Sequence, residues 1–173
     1  MNIFVVDHDP CVAAQMLGDQ HICKMSIETP QLLSAAHHRW HANEPHTAQL
    51  YKLTHKNHPS TLWTGAHPEH YEWVFRHACA LWDEYEHRYG RPHASSRLRH
   101  LLDTPPRMYG YAASCAPPQC MPDQYKVSSA HTLTGWTQTV QAYRQYYIGE
   151  KLKFARWNRS APPSWCTVIH HAA

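Results

Sequence analysis

His21, which closes the triplet Asp19-Gln20-His21, is followed seven positions later by Glu28, with Pro30 two residues further on. On a helix, His21, Lys24 or Met25, and Glu28 recur at i, i+3/i+4 and i+7. One stripe then carries an imidazole, an ammonium and a carboxylate. Such a set can grip a substrate oxygen or phosphate through His21 and Lys24 and move a proton through Glu28 as general acid or base. Proline lacks an N–H, so Pro30 frees the carbonyl of Ser26 and is expected to bend or break the helix at Glu28. The competing reading is a solvated helix face, with Lys24 and Glu28 as an ordinary i, i+4 pair contributing only ~0.3 kcal/mol.

A second candidate lies in the aromatic and basic run from Tyr143 to Arg159. Arg144, Tyr146, Tyr147, Lys151 and Lys153 interleave planar rings with cations, a pattern that suits stacking on bases while neutralising phosphates. The bland alternative is a core helix with a basic rim whose long side chains lie along its flanks. Histidine supplies a third set: His37, His38 and His41; His55 and His58; His67 and His70. Each cluster offers two metal ligands, but none completes a three- or four-ligand set at a recognised spacing, and HExxH is absent. No metal is expected. No phosphate-binding glycine loop or GxGxxG occurs, so no nucleotide cofactor is expected either.

The elements that must position these residues read as helices. Ile3 to Val6 is a short buried strand or extended segment. Asp9 caps a helix that opens with Pro10 and runs to about Leu17, closed by Gly18. Asp19 then caps a long kinked helix to about Trp40, with Ile22, Met25, Leu32, Leu33 and Ala36 as its core stripe. Residues 41 to 66 read as polar loop. The next helix starts at His67-Pro68-Glu69, keeps helical period through Tyr71, Val74, Phe75, Ala78, Leu81, Trp82 and Tyr85, and ends at Gly90. Ser95 or Ser96 caps a short helix to Leu102. A proline-rich loop spans 104–126, and a last helix begins near Thr134. The expected fold is mainly α: one compact domain over 1–173, a kinked long helix near the N-terminus, at most a trivial β segment, and the proline-rich loop between two helical halves.

At 173 residues the chain is long enough for a substantial core. It has seven Trp, ten Tyr and 17 His, and a formal charge of only +3 with His neutral. Protonation of His makes the surface far more basic below about pH 6.5, which suits a polyanionic partner. None of the six Cys forms a CxxC pair, so reduced thiols and a cytoplasmic setting are expected. The apolar run at the start is too short for a signal peptide or membrane span, and no membrane partner is expected.

Asp19-Gln20-His21, the fixed gap, and Glu28-x-Pro30 resemble the first long helix of the phage pyrimidine-dimer DNA glycosylases, the endonuclease V type. The tail Tyr143-x-x-Tyr146-Tyr147-x-Gly149-x-Lys151 is similar to the aromatic segment that lies near DNA in those enzymes. The opening Asn2–Pro10 and the loop Thr54–Pro59 are similar to phage proteins of the same type. The resemblance implies a compact helical enzyme that bends DNA, flips a nucleotide and attacks the sugar C1′ with an N-terminal amine, forming a Schiff base that leads to strand cleavage. It places the essential carboxylate at Glu28, and Gln20 and His21 at site-lining or DNA-contacting positions. Two departures stand out. The family's arginines flanking Glu-x-Pro are Ile27 and Gln31 here, leaving Gln31 as a weaker DNA contact. Position 2 is Asn2, whose size disfavours removal of Met1, and Lys24 is a candidate substitute for the amine.

Three other functions fit the same residues: a transferase that builds modified pyrimidines, with His21, Lys24 and Arg39 holding a leaving phosphate; a DNA-binding module without chemistry; and a metal-dependent nuclease built on Thr54–His58.

Overall fold

Asp9 begins the first helix as expected: its carboxylate accepts the N–H groups of Cys11 (2.7 Å) and Val12 (3.0 Å), and Pro10 occupies the first turn, where a missing N–H costs nothing. The computed structural model describes residues 1–110, 113–128 and 135–166. Within them α1 is Pro10–Gln15, α2 is Asp19–Trp40, α3 is Pro59–Thr64, α4 is Pro68–Tyr89, α5 is Arg99–Leu102 and α6 is Gly135–Tyr146. A π-helical turn, Tyr147–Lys151, continues α6. The fold is mainly α, with no strand among the described residues. The expected helix start at Thr134 lies outside them.

The two long helices α2 and α4 pack on each other and build the core. The expected stripe of α2 is buried throughout: Ile22, Met25, Leu32, Leu33 and Ala36. Tyr71, Val74, Ala78, Leu81 and Trp82 answer from α4, while Phe75 and Tyr85 are partly buried at its edge. Gly90 ends α4 at φ +68°, a left-handed cap that glycine adopts without strain.

α2 runs unbroken through Pro30 to Trp40, as the expected long helix does. The carbonyl Pro30 releases, that of Ser26, accepts the indole N–H of buried Trp82 at 3.1 Å. The helix is continuous because α4 supplies the missing donor. The N-cap differs from expectation. Gly18, not Asp19, takes the extended cap conformation, and the Asp19 carboxylate is drawn instead to the buried Arg88 (2.9 Å) and the Asn158 N–H (2.9 Å).

Residues 41–66 are more ordered than the polar composition suggests, with a 3₁₀ turn at Pro45–Gln49 and α3 beyond it. Histidines start three of the elements. The Nδ1 atoms of His58, His67 and His93 accept the N–H of Ser60, Glu69 and Ser95, so His93, rather than a serine, caps the 3₁₀ turn that leads into α5. In the first two cases proline follows at once, fixing the first helical φ.

Ile3 to Val6 is buried as expected, at most 3% exposed, but it is a turn rather than a strand or extended segment: the Val6 N–H donates back to the Phe4 carbonyl at 2.8 Å. It is tied to α6 by Arg144, whose Nε donates to the Val6 carbonyl at 2.8 Å. Phe4 sits at φ +53°, a left-handed conformation that is strained for an aromatic residue. Asn2 supports it: its side-chain oxygen accepts the N–H groups of Ile3 (2.7 Å) and Phe4 (3.3 Å).

Candidate functional site

The start of α2 is locked to the far end of the chain. The Asp19 N–H donates to the Arg156 carbonyl at 2.8 Å, and the Gly18 N–H donates to the Tyr147 hydroxyl at 2.8 Å. A Cβ on Gly18 would lie 3.1 Å from Ala155 Cβ and 3.3 Å from the Tyr147 hydroxyl, so the contact needs glycine. This junction opens one side of a hollow of about 440 Å³, walled by the first residues, the first two turns of α2, Cys120, and the π turn with Phe154.

Six lining residues carry its chemistry: Met1, Asn2, Gln20, His21, Lys24 and Lys151. Glu28 is not on the wall but is held by two residues that are. Its Oε2 accepts the Asn2 backbone N–H at 3.2 Å, and its Oε1 lies 3.5 Å from Lys24 Nζ. The Glu28 side chain is 18% exposed and that of Lys24 is 56% exposed. The carboxylate is therefore half-dry, next to the head of the chain, with a cavity alongside. Lys24 stands in solvent, so the burial expected to make it a substitute amine nucleophile is absent.

His21 is buried against Phe4, with ring centroids 4.6 Å apart, and its Nδ1 meets the Tyr147 hydroxyl at 2.8 Å. That hydroxyl accepts the Gly18 N–H, and Nδ1 is the acceptor its own hydrogen has among the described residues, which assigns the His21 proton to Nε2. Burial, with the Lys151 and Lys24 charges adding to it, pushes His21 down to about 4. At neutral pH it is an uncharged hydrogen-bond donor and not the cation that a phosphate grip would use.

The aromatic and basic run divides. Tyr146 and Lys151 reach the hollow, with Lys151 Nζ 4.6 Å from the Tyr146 ring centroid. Tyr147 is fully buried and acts on His21 from behind, so it makes no surface for DNA. Arg144 is engaged by the Val6 carbonyl and by Asp7 at 3.1 Å, and lies over Trp165. Lys153 is exposed and paired with Glu150 at 2.9 Å. Gln20 lines the hollow, whereas Gln31 does not. Arg39 is 18 residues beyond His21 on one helix, about 27 Å along its axis, too far to share a phosphate with it.

The histidine clusters serve other ends. His38 bonds the Tyr51 carbonyl, His70 the Trp63 carbonyl and the Cys115 N–H, and His37 bridges His46 (3.1 Å) and Tyr71 (2.9 Å). Among the described residues no three His, Cys, Asp or Glu side chains are grouped to hold a metal ion. No described helix is long and apolar enough to cross a membrane.

The sequence profile of a family described as pyrimidine dimer DNA glycosylase matches residues 1–97. The chain belongs to that family. Membership makes it a DNA glycosylase-type protein with DNA as its substrate. The match covers Asp19-Gln20-His21, Glu28 and the loop before α3, and stops short of α6 and the π turn. Neither the curated proteins nor the solved structures yield a match. Sequence reasoning missed Phe4 as part of the site. The non-glycine φ of Phe4 has no signature in residue type.

Proposed function

We propose that this protein excises a damaged pyrimidine from DNA through an imine at its N-terminal amine, with Glu28 as the acid–base group. The observation that carries the reading is the 3.2 Å contact between Glu28 Oε2 and the Asn2 N–H, which brings the carboxylate to the head of the chain at the edge of the hollow. In this scheme the Met1 α-amine adds to C1′ and gives up a proton to Glu28. The glycosidic bond breaks, and its electron pair leaves with the base, which is protonated from solvent. Glu28 returns its proton to O4′ as the sugar ring opens, leaving a C1′ imine. Loss of a C2′ proton expels the 3′ phosphate, and water hydrolyses the imine. His21 donates from neutral Nε2 to the opening sugar or a nearby phosphate oxygen. Lys24, Lys151 and Gln20 hold the backbone, and Tyr146 offers a ring face to a displaced base.

The test is borohydride trapping on a duplex containing a cyclobutane pyrimidine dimer, with peptide mapping of the adduct. An adduct on Met1, abolished by N-terminal acetylation, is the expected result. Glu28→Gln keeps the shape of the side chain but cannot relay a proton, so strand scission at the dimer should fall about 100-fold or more. An adduct on Lys24 or Lys151 would replace the nucleophile. No adduct and no strand scission, with Glu28→Gln equal to wild type, would remove the glycosylase reading.

A further inference from the structure

From Pro45 to Pro68 the chain contains no Asp or Glu, yet it carries Lys52, Lys56 and four histidines. Residues 52–57 are all exposed, and no carboxylate lies within ion-pairing distance of Lys52 or Lys56 among the described residues. Leu53, between these cations, is 45% exposed. The loop's shape is set rather than slack. His55 takes a left-handed φ of +48°, its carbonyl accepts the His58 N–H at 2.9 Å, and His58 caps α3. Non-glycine residues hold that conformation only where the surroundings over-determine it.

The loop also adjoins the site. The first turn of α3 touches two residues that line the hollow: the Thr61 hydroxyl donates to Met1 Sδ at 3.6 Å, and Ser60 Oγ lies 3.4 Å from Cys120 Sγ. His58 feels both the N-terminal ammonium and the Glu28 carboxylate. Its Nδ1 accepts the Ser60 N–H at 3.2 Å, which leaves the proton on Nε2 as a donor.

We propose that residues 52–58 form a second DNA-docking element, in which Lys52 and Lys56 neutralise two backbone phosphates beside the hollow and His58 donates from Nε2 to a third. It rests on DNA as the substrate and not on the imine chemistry. Two cations flanking an apolar side chain match a duplex edge, where phosphates flank stacked bases.

The experiment is fluorescence anisotropy of the full chain with a short labelled duplex over a range of salt. For Lys52→Gln/Lys56→Gln the slope of log affinity against log salt should drop by about 1.8, or 0.9 per phosphate. Between about 50 and 200 mM salt the double variant should then lose roughly twelvefold less affinity than wild type. His58→Asn keeps an acceptor for the Ser60 N–H. It should weaken binding about tenfold at fixed salt while leaving the slope unchanged. Arg76→Gln/Lys126→Gln removes two cations already paired with Asp9 and Asp123, and should leave the slope near that of wild type. An unchanged slope in the Lys52/Lys56 variant, or an equal drop in the control, would overturn the proposal. Adduct trapping is scored separately. The expected slope loss without any adduct would sink the imine scheme alone, whereas trapping with an unchanged slope would sink the docking loop alone.

Discussion

Tyr147 shows how a buried side chain can govern one that lines the hollow. Its hydroxyl takes the Gly18 N–H and gives its hydrogen to His21 Nδ1, so a single oxygen both closes the start of α2 and chooses which nitrogen of His21 faces the hollow. Tyr147→Phe removes that oxygen and leaves a buried N–H unpaired, at a cost of about 1–3 kcal/mol in urea unfolding. It also releases the choice of tautomer. Excision should therefore fall by more than the unfolded fraction accounts for, and the pH–rate profile should change shape. A variant that loses stability but keeps the wild-type profile would show that the hydroxyl serves the fold alone.

Among the helices, α2 and α4 are readable from the periodicity of their buried stripes, and α4 also from Pro68 at its start and Gly90 at its end. Trp82 could not be anticipated. Only the packing of α4 on α2 brings its indole to the carbonyl that Pro30 releases, and that contact keeps a proline-containing helix whole. The order before α4 is hidden from residue type because histidine is not a usual cap signal, while the Nδ1 atoms of His58 and His67 serve here as helix caps. In the C-terminal run, Tyr143 and Tyr147 share the buried side at i, i+4 spacing. The Leu152 N–H then reaches back five residues to the Tyr147 carbonyl at 2.8 Å, shifting the helical phase and bringing Lys151 to the hollow. Inside α2, Thr29 is fully buried and its hydroxyl has no partner among the described residues. Thr29→Val keeps the shape without the stranded hydroxyl. It should stabilise the protein by about 1 kcal/mol and raise the melting temperature by about 2–4 °C.

Taken together, the buried imidazoles give the molecule an acid limit. Burial foremost holds His21, His37 and His77 near 4, against 6.5 for the free side chain. Below about pH 6.5 the unfolded chain therefore binds more protons than the native one. The stabilisation is complete above that point and is lost as pH falls toward 4. At pH 5 each of the three should cost about 2 kcal/mol relative to pH 7.5. Denaturation midpoints across that window measure this directly, and a flat profile would mean that the rings are charged inside the native state.

The hollow is assembled from two stretches of different ancestry signal. Its floor, with His21, Lys24 and the first residues, lies within the part that matches the family, while Tyr146, Lys151 and Phe154 lie beyond residue 97. A chimera that exchanged the segment from α6 onward for that of another member would keep Glu28 and replace one wall of the chamber. Preference among lesions should travel with the exchanged segment, and the ability to break the glycosidic bond should stay behind with the recipient.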